Sequence, residues 1–222
     1  MTPFNANSIS GLVAWYDGGN QGNSNGQAVT NFTDSGSNYY HAASTQPFGN
    51  DPYWTNNGSV LNGKGAVRFF AGQQCLTNFV TSYAPTNWVF FVGNWPVNSG
   101  GYIFDGNASR ELAAALTGTT TATMYAGSQF DAGTVDNTPM LYEFVFTGGA
   151  NSYIATNGVK VGSGNPGGNN LQNISLGSRF NGTTGNGDLS MWDLIIYNRA
   201  PTPAERTTIT NFCGTNFGLV LH

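Results

Sequence analysis

Short apolar runs, each broken by glycine, asparagine, aspartate or proline, recur along this chain. LVAWYD, GAVRFF, WVFFVGNW, LYEFVFTG, SYIAT, VKVG, ISLGS and DLIIYNR are rich in Val, Ile, Phe, Tyr and Trp, the side chains that suit a pleated, half-buried surface. Each run predicts a β-strand. Asn157-Gly158 stands between two of them and predicts a two-residue hairpin turn with positive backbone φ. The run LIIY in the last strand is continuously apolar, the pattern of a strand buried on both faces. RELAAALTG, residues 110 to 118, has helix-favouring composition, but its strand-rich surroundings set the expectation of strand.

The period changes once, after residue 200. Thr202-Pro203-Ala204-Glu205 is a capping box: the threonine hydroxyl can accept from the Glu205 amide, the glutamate can reach back, and proline suits the first helical position. Ile209, Phe212, Cys213 and Phe217 then fall at helical spacing, with Gly214 and Gly218 towards the end. A short helix should therefore close the chain and lay its apolar face on the sheets. Neither a linker nor a shift of composition divides the remainder, so residues 1–222 are expected to form one domain.

Composition narrows the function classes. Only 8% of the 222 residues are charged, Gly numbers 31 and Asn is nearly as frequent, so amides, hydroxyls and backbone must cover the surface. A net charge of −4 with seven Lys plus Arg argues against a phosphate-backbone partner, and no nucleic acid is expected. The opening MTPFNANSISGLVAWYDGG has no basic segment followed by an apolar run, so no secretory signal is legible. No stretch is long and apolar enough to span a bilayer, and no membrane insertion is expected. Sequons begin at Asn31, Asn57, Asn107, Asn173 and Asn181, but a chain this rich in Asn, Ser and Thr generates such triplets by chance. Cys75 and Cys213 are too few for a disulfide framework and are either two buried thiols or one bridge.

At this point the pieces resemble a known family. GDLSMWDLIIYNRAPTPAER is similar to the last strand and helix of the concanavalin A-like, laminin-G-like jelly-roll domains, in which a glycine turn, a strand ending in Tyr and an Arg-Ala turn precede the helix. GLVAWYDGGN resembles their opening strand, DSGSNYYHAA their Asp-x-x-Gly-x-x-x-His-Ala stretch, and LNGKGAVRFFAGQQCL their Asn-Gly-x-x-x-Val-x-Phe strand. YIATNGVKVGSG and NISLGSR match the hairpin and the strand after it, all in family order. The resemblance implies an all-β, two-sheet antiparallel jelly-roll sandwich of roughly a dozen strands with a short C-terminal helix. It leaves function open, because this fold carries lectins, hydrolases, lyases, adhesion domains and virion surface proteins.

Catalysis finds little support in the residues. The only histidines are His41 and His222; His41 falls in the DSGSNYYHAA turn, where its imidazole is expected to bond the turn. Hydrolases of the resembled fold carry Glu-x-Asp-x-x-Glu on one strand, which is absent here, and Glu111, Glu143 and Glu205 stand apart. Asp188 and Asp193 are five apart and would point to opposite faces of a regular strand. The chain is therefore expected not to be an enzyme, with glycoside hydrolysis a remote alternative. DGNASRE, residues 105 to 111, superficially resembles a calcium loop, yet Arg110 and Leu116 stand where such a loop needs its glycine and its bidentate glutamate. Asp17, Asp34 and Asp105 are the nearest Ca²⁺ candidates; the structural alternative is that each fixes its own turn. No other cofactor is implied.

Glycan binding requires exposed rings beside hydrogen-bonding groups. Trp15, Trp88 and Trp192 lie in strand runs and are expected in the core. Trp54 and Tyr53 lie in QPFGNDPYWTNNG, residues 46 to 58, which reads as a loop, so Trp54 either contacts a sugar or partner or folds the loop onto the sandwich. Tyr39, Tyr40 and Trp95 are weaker candidates of the same kind. Two functional readings result. The favoured one is a non-enzymatic virion structural protein, a homo-oligomeric phage capsid decoration or appendage on the virion surface that contacts other capsid proteins and adheres to host glycans. The alternative is a lectin-like carbohydrate-binding module of a secreted or cell-surface protein.

Overall fold

The computed structural model describes residues 4–44, 51–56, 61–70, 74–78, 80–95, 100–106, 111–115, 120–180 and 187–222. In chain order its strands are β1 (Leu12–Asp17), β2 (Asn31–Phe32), β3 (Ala42–Ser44), β4 (Tyr53–Asn56), β5 (Gly65–Phe69), β6 (Leu76–Asn78), β7 (Asn87–Asn94) and β8 (Gly101–Asp105). They continue as β9 (Leu112–Ala115), β10 (Ala122–Tyr125), β11 (Gln129–Ala132), β12 (Met140–Phe146), β13 (Ser152–Thr156), β14 (Val159–Gly164), β15 (Ile174–Leu176) and β16 (Leu189–Tyr197). One α-helix follows, α1 (Pro203–Phe217).

Among the described residues the strands form two antiparallel sheets of eight. The first runs β14-β13-β12-β7-β16-β5-β4, with β1 also paired to β16, and the second β11-β10-β9-β8-β15-β6-β3-β2. All eight runs read from the sequence form strands, and so do residues 112–115 of RELAAALTG. The architecture is the expected all-β, two-sheet jelly-roll sandwich with a C-terminal helix.

Period-two alternation sorts the side chains of the first sheet. On β7, Val89 and Phe91 point into the sandwich with Trp95 just beyond the strand, while Trp88, Phe90 and Val92 belong to a second apolar layer on the outer face. That second layer is covered by α1, which buries Ile209, Cys213 and Phe217 against Trp88, Phe90, Leu141, Val145, Ile195 and Tyr197. Burying each large apolar side chain is worth about 1.5–3 kcal/mol, which explains why the central strands lack polar alternation. Every residue of β16 is buried.

The local signals behave as their chemistry requires. Thr202 Oγ1 accepts from Glu205 N at 3.3 Å, Glu205 Oε2 accepts from Thr202 N at 2.9 Å, and Gly218 ends the helix with φ 66°. Asn157 and Gly158 have φ of 47° and 87° and join β13 to β14. Cys75 and Cys213 are both buried and free, one next to β6 of the second sheet and the other on α1 behind the first.

Three features depart from expectation. Within the stretch read as a loop, residues 53–56 form β4, paired to β5 with Trp54 opposite Val67; residues 46–50, 57 and 58 lie outside the described residues. Asp188 precedes β16, and β16 is not regular: Met191 pairs with Gly93 but Asp193 with Val92, a bulge that inserts one extra residue. The count of strands also exceeds a dozen, because β2, β3, β6 and β11 are only two to four residues long.

Candidate functional site: an open groove on the outer face of the first sheet

Helix α1 covers only part of the outer face. Beyond it, β4, β5, β7 and β16 leave an open cavity of about 340 Å³. The alternation of β5 sets its wall: Val67 and Phe69 are in the core, so Arg68 and Phe70 point outward. Tyr53, opposite Arg68 on β4, stacks on Phe70 with centroids 4.8 Å apart and planes 22° apart. The Arg68 guanidinium carbon sits 4.6 Å from the Phe70 centroid, a cation–π geometry. Arg68 also forms an ion pair with Asp188 and donates to Ser190 Oγ at 3.2 Å. At the far wall Asn94 Nδ2 donates to the Asn137 carbonyl at 2.6 Å.

The β16 bulge supplies the remaining ring. Leu189 and Met191 face the core before it and Leu194 and Ile196 after it, so the extra residue lets Trp192 face outward and line the cavity. Trp192 is 6% exposed and its Nε1 donates to the Lys64 carbonyl at 3.1 Å. The sequence placed Trp192 in the core; it is buried, but as one wall of the groove. Arg68, Phe70, Asn94 and Asn137 were not foreseen. The alternating pattern of GAVRFF marks Arg68 and Phe70 as the outward pair, the one signal that could have found them.

Other expected ligand contacts are dispersed. Trp54 faces the core side of β4: its Nε1 donates to the Gly18 carbonyl at 2.7 Å and its ring covers Gly65, where a methyl carbon would come within 2.1 Å. It therefore folds β4 onto the sandwich rather than presenting a ring. Trp95 is 1% exposed and donates to the Gly101 carbonyl at 3.1 Å, so it is a core residue, in phase with Phe91. Tyr39 is 73% exposed with φ 57°, edge-on to His41. Tyr40 is half-buried, its hydroxyl 3.2 Å from Thr81 Oγ1. The Thr81 bond lowers the Tyr40 phenol's pKa, while burial pushes the neighbouring Tyr83 up to about 12. Tyr39 and Tyr40 do not line the groove that Tyr53 lines.

The metal candidates do not converge. Asp34 is a turn anchor: Oδ1 accepts from Trp15 N and Gly36 N at 2.8 and 2.7 Å, and Oδ2 from Tyr40 N at 2.8 Å. His41 Nδ1 accepts from Asp34 N at 3.0 Å, the turn-bonding role expected of it. Asp17 accepts from Gly19 N at 2.9 Å, and the buried Asp105 accepts from Phe180 N at 3.2 Å. No group of three His, Cys, Asp or Glu side chains that could hold a metal ion is found among the described residues.

The carboxylates are also tied to the fold. Arg199 holds the Glu205 carboxyl down to about 2. Glu143 is fully buried against Arg206, and Glu111 is fully buried with Asn87 donating to it at 2.9 Å. Asp193 pairs across the strands with Asp17; burial first, and Asp17 second, push its carboxyl well above the usual range. Its Oδ1 accepts from Trp15 Nε1 at 2.8 Å. None of these carboxylates lines the cavity.

The fold defines the class of this protein: a two-sheet antiparallel β-sandwich with a helix on its outer face. Among solved structures it is similar to the binding domain of botulinum neurotoxin serotype D, with TM-score 0.59 and 12% identity, covering 93% of this chain and 52% of that one. It is similar to the botulinum neurotoxin serotype D ligand binding domain in complex with N-acetylneuraminic acid, with TM-score 0.58 and 11% identity, covering 90% and 50%. Trypanosoma rangeli sialidase in complex with sialic acid gives TM-score 0.54 at 12% identity, covering 93% and 33%. The chain thus spans about half the length of the toxin domains and a third of the sialidase. No protein-family model matches it, and no curated protein sequence does.

Proposed function

We propose that this chain is a non-enzymatic carbohydrate-binding β-sandwich whose binding surface is the groove of Tyr53, Phe70, Arg68 and Trp192. The observation that carries the reading is the juxtaposition of a stacked aromatic pair with a guanidinium and two side-chain amides in an open cavity of about 340 Å³. Rings stack on the apolar faces of sugars while amides and guanidinium bond their hydroxyls. Two similar structures are described in complex with sialic acid or N-acetylneuraminic acid, which supports a sugar as ligand class at the level of fold. The distance of Glu111, Glu143 and Glu205 from the groove supports binding over glycoside hydrolysis. Membership of the laminin-G-like family is part of the same proposal and rests on the sequence motifs.

The groove favours the second of the two readings drawn from sequence. A place on a virion surface, with capsid proteins as partners and a homo-oligomeric state, is a separate proposal on which the groove has no bearing; the mass in solution tests its oligomeric part. The binding reading is tested by screening the protein on a glycan array alongside Tyr53→Ala and Phe70→Ala. Retention of a defined oligosaccharide by the wild type, weakened at least tenfold in both variants, is expected. Silence across the array, or binding indifferent to both substitutions, would overturn it.

A further inference from the structure

We infer that the groove selects uncharged sugars and discriminates against acidic ones; this rests on the binding reading above. The charges around the cavity carry the argument. Among the described residues Arg68 is the one cation lining it, and its guanidinium is already paired with Asp188 and bonded to Ser190 Oγ at 3.2 Å. The Arg68 and Asp188 side chains are only 17% and 22% exposed, so water screens the pair incompletely. A carboxylate or sulfate brought to Arg68 must therefore compete with Asp188 and lie beside it. The chain's net charge of −4 supplies no long-range attraction for an anion.

An uncharged sugar meets a different surface. Its apolar face packs against the stacked Tyr53–Phe70 pair, and its hydroxyls find donors and acceptors in the Asn94 and Asn137 side chains and the Ser190 hydroxyl, with no charge displaced. The Arg68–Asp188 pair then acts as a fixed polar edge, held over Phe70 by the cation–π contact. The cavity, near the lower bound of ligand pockets at about 340 Å³, suits a terminal mono- or disaccharide.

The experiment uses matched array members: neutral oligosaccharides such as lactose, their sialylated counterparts such as 3′-sialyllactose, and uronate- and sulfate-bearing analogues. Wild-type protein should bind at least one neutral member at least tenfold more strongly than its acidic counterparts. Asp188→Asn, with its fold checked by circular dichroism, should narrow that ratio at least fivefold as Arg68 becomes free to take an anion. Arg68→Gln, which removes the cation and leaves neutral donors, should keep the neutral preference. Equal or stronger wild-type binding of an acidic member overturns the selectivity and leaves carbohydrate binding standing. A ratio unmoved in Asp188→Asn overturns the role given to the ion pair. Silence across the array overturns the binding reading and the selectivity with it.

Discussion

Replacing Arg206 by leucine removes one partner of a buried ion pair and should destabilise the fold substantially. Glu143 on β12 is fully buried, and Arg206 meets both its oxygens, Nε to Oε2 at 2.7 Å and Nη2 to Oε1 at 2.9 Å. The same guanidinium donates to the Gly158 carbonyl at 2.6 Å, so the helix, β12 and the β13–β14 turn meet at one side chain. Breaking a buried pair from one side costs about 3–5 kcal/mol. Arg206 is 31% exposed, which places the expectation near the lower bound, about 3 kcal/mol. For a chain of this size that is a fall in Tm of about 6–12 °C.

The pH dependence gives the argument its sign. Burial raises the Glu143 carboxyl above its ordinary value of 4.5, and Arg206 opposes that rise. Without Arg206 the folded-state pKa climbs further. A raised folded pKa means stability that is complete below the unfolded value and lost as pH increases through the folded one. The deficit of Arg206→Leu should therefore be widest near pH 7 and shrink as pH falls towards about 4.5, and adding Glu143→Gln should recover much of it. Thermal unfolding of wild type, both single variants and the double, followed by tryptophan fluorescence at the two pH values, measures all of this. A fall in Tm below about 2 °C at pH 7, or a deficit that does not narrow in acid, would refute the reasoning.

Three further outcomes are expected. Burial pushes Glu111 up to about 8, so its contribution to stability is present below pH 4.5 and lost as pH rises through about 8; Glu111→Gln should flatten that part of a urea-melt pH series and melt later than wild type at pH 8. In Gly65→Ala the new methyl would stand 2.1 Å from the Trp54 ring, so the indole must leave the Gly18 carbonyl at a cost of about 1–3 kcal/mol; unchanged tryptophan emission and Tm would contradict this. Cys75 and Cys213 are buried, with thiol pKa values raised by burial, so a thiol reagent should count none in the native protein and two after unfolding.

How much of this was legible depended on the range of the signal. Central strands β7, β12 and β16 declared themselves through long apolar runs, and α1 through a capping box confined to four residues. The edge strand β2 and its neighbour β3 are held by two residue pairs to each partner and are only two and three residues long, so no local preference announces them. Trp54 shows how tertiary packing overrides composition: proline and asparagine around it suggested a loop, but the bare surface of Gly65 accepts its ring. Trp95 could have been placed correctly, since the alternation that buries Val89 and Phe91 continues to it. The groove itself was not readable. Its residues come from segments around positions 53, 68, 94, 137 and 190, and only sheet order, together with a bulge in β16, brings them to one face.

Strand β16 has a consequence for biosynthesis. It lies between β7 and β5 and also pairs with β1, yet it begins only at Leu189. At translation rates of about 5–20 residues per second, roughly 10–40 s pass between the first residue and this one. From the completion of β12 at Phe146 to the arrival of Leu189, about 2–9 s at the same rates, the nascent chain holds β1, β5 and the hydrophobic β7–β12 pair with no strand to join them. The layer provided by α1 arrives later still. Closure of the first sheet is thus a late, non-local event of the kind that makes β-rich chains slow to fold and prone to associate before they finish. A ribosome stalled before residue 189 leaves a polypeptide whose most apolar segments have no place to pair, so any attempt to express shortened versions must keep the stretch from Leu189 to Phe217.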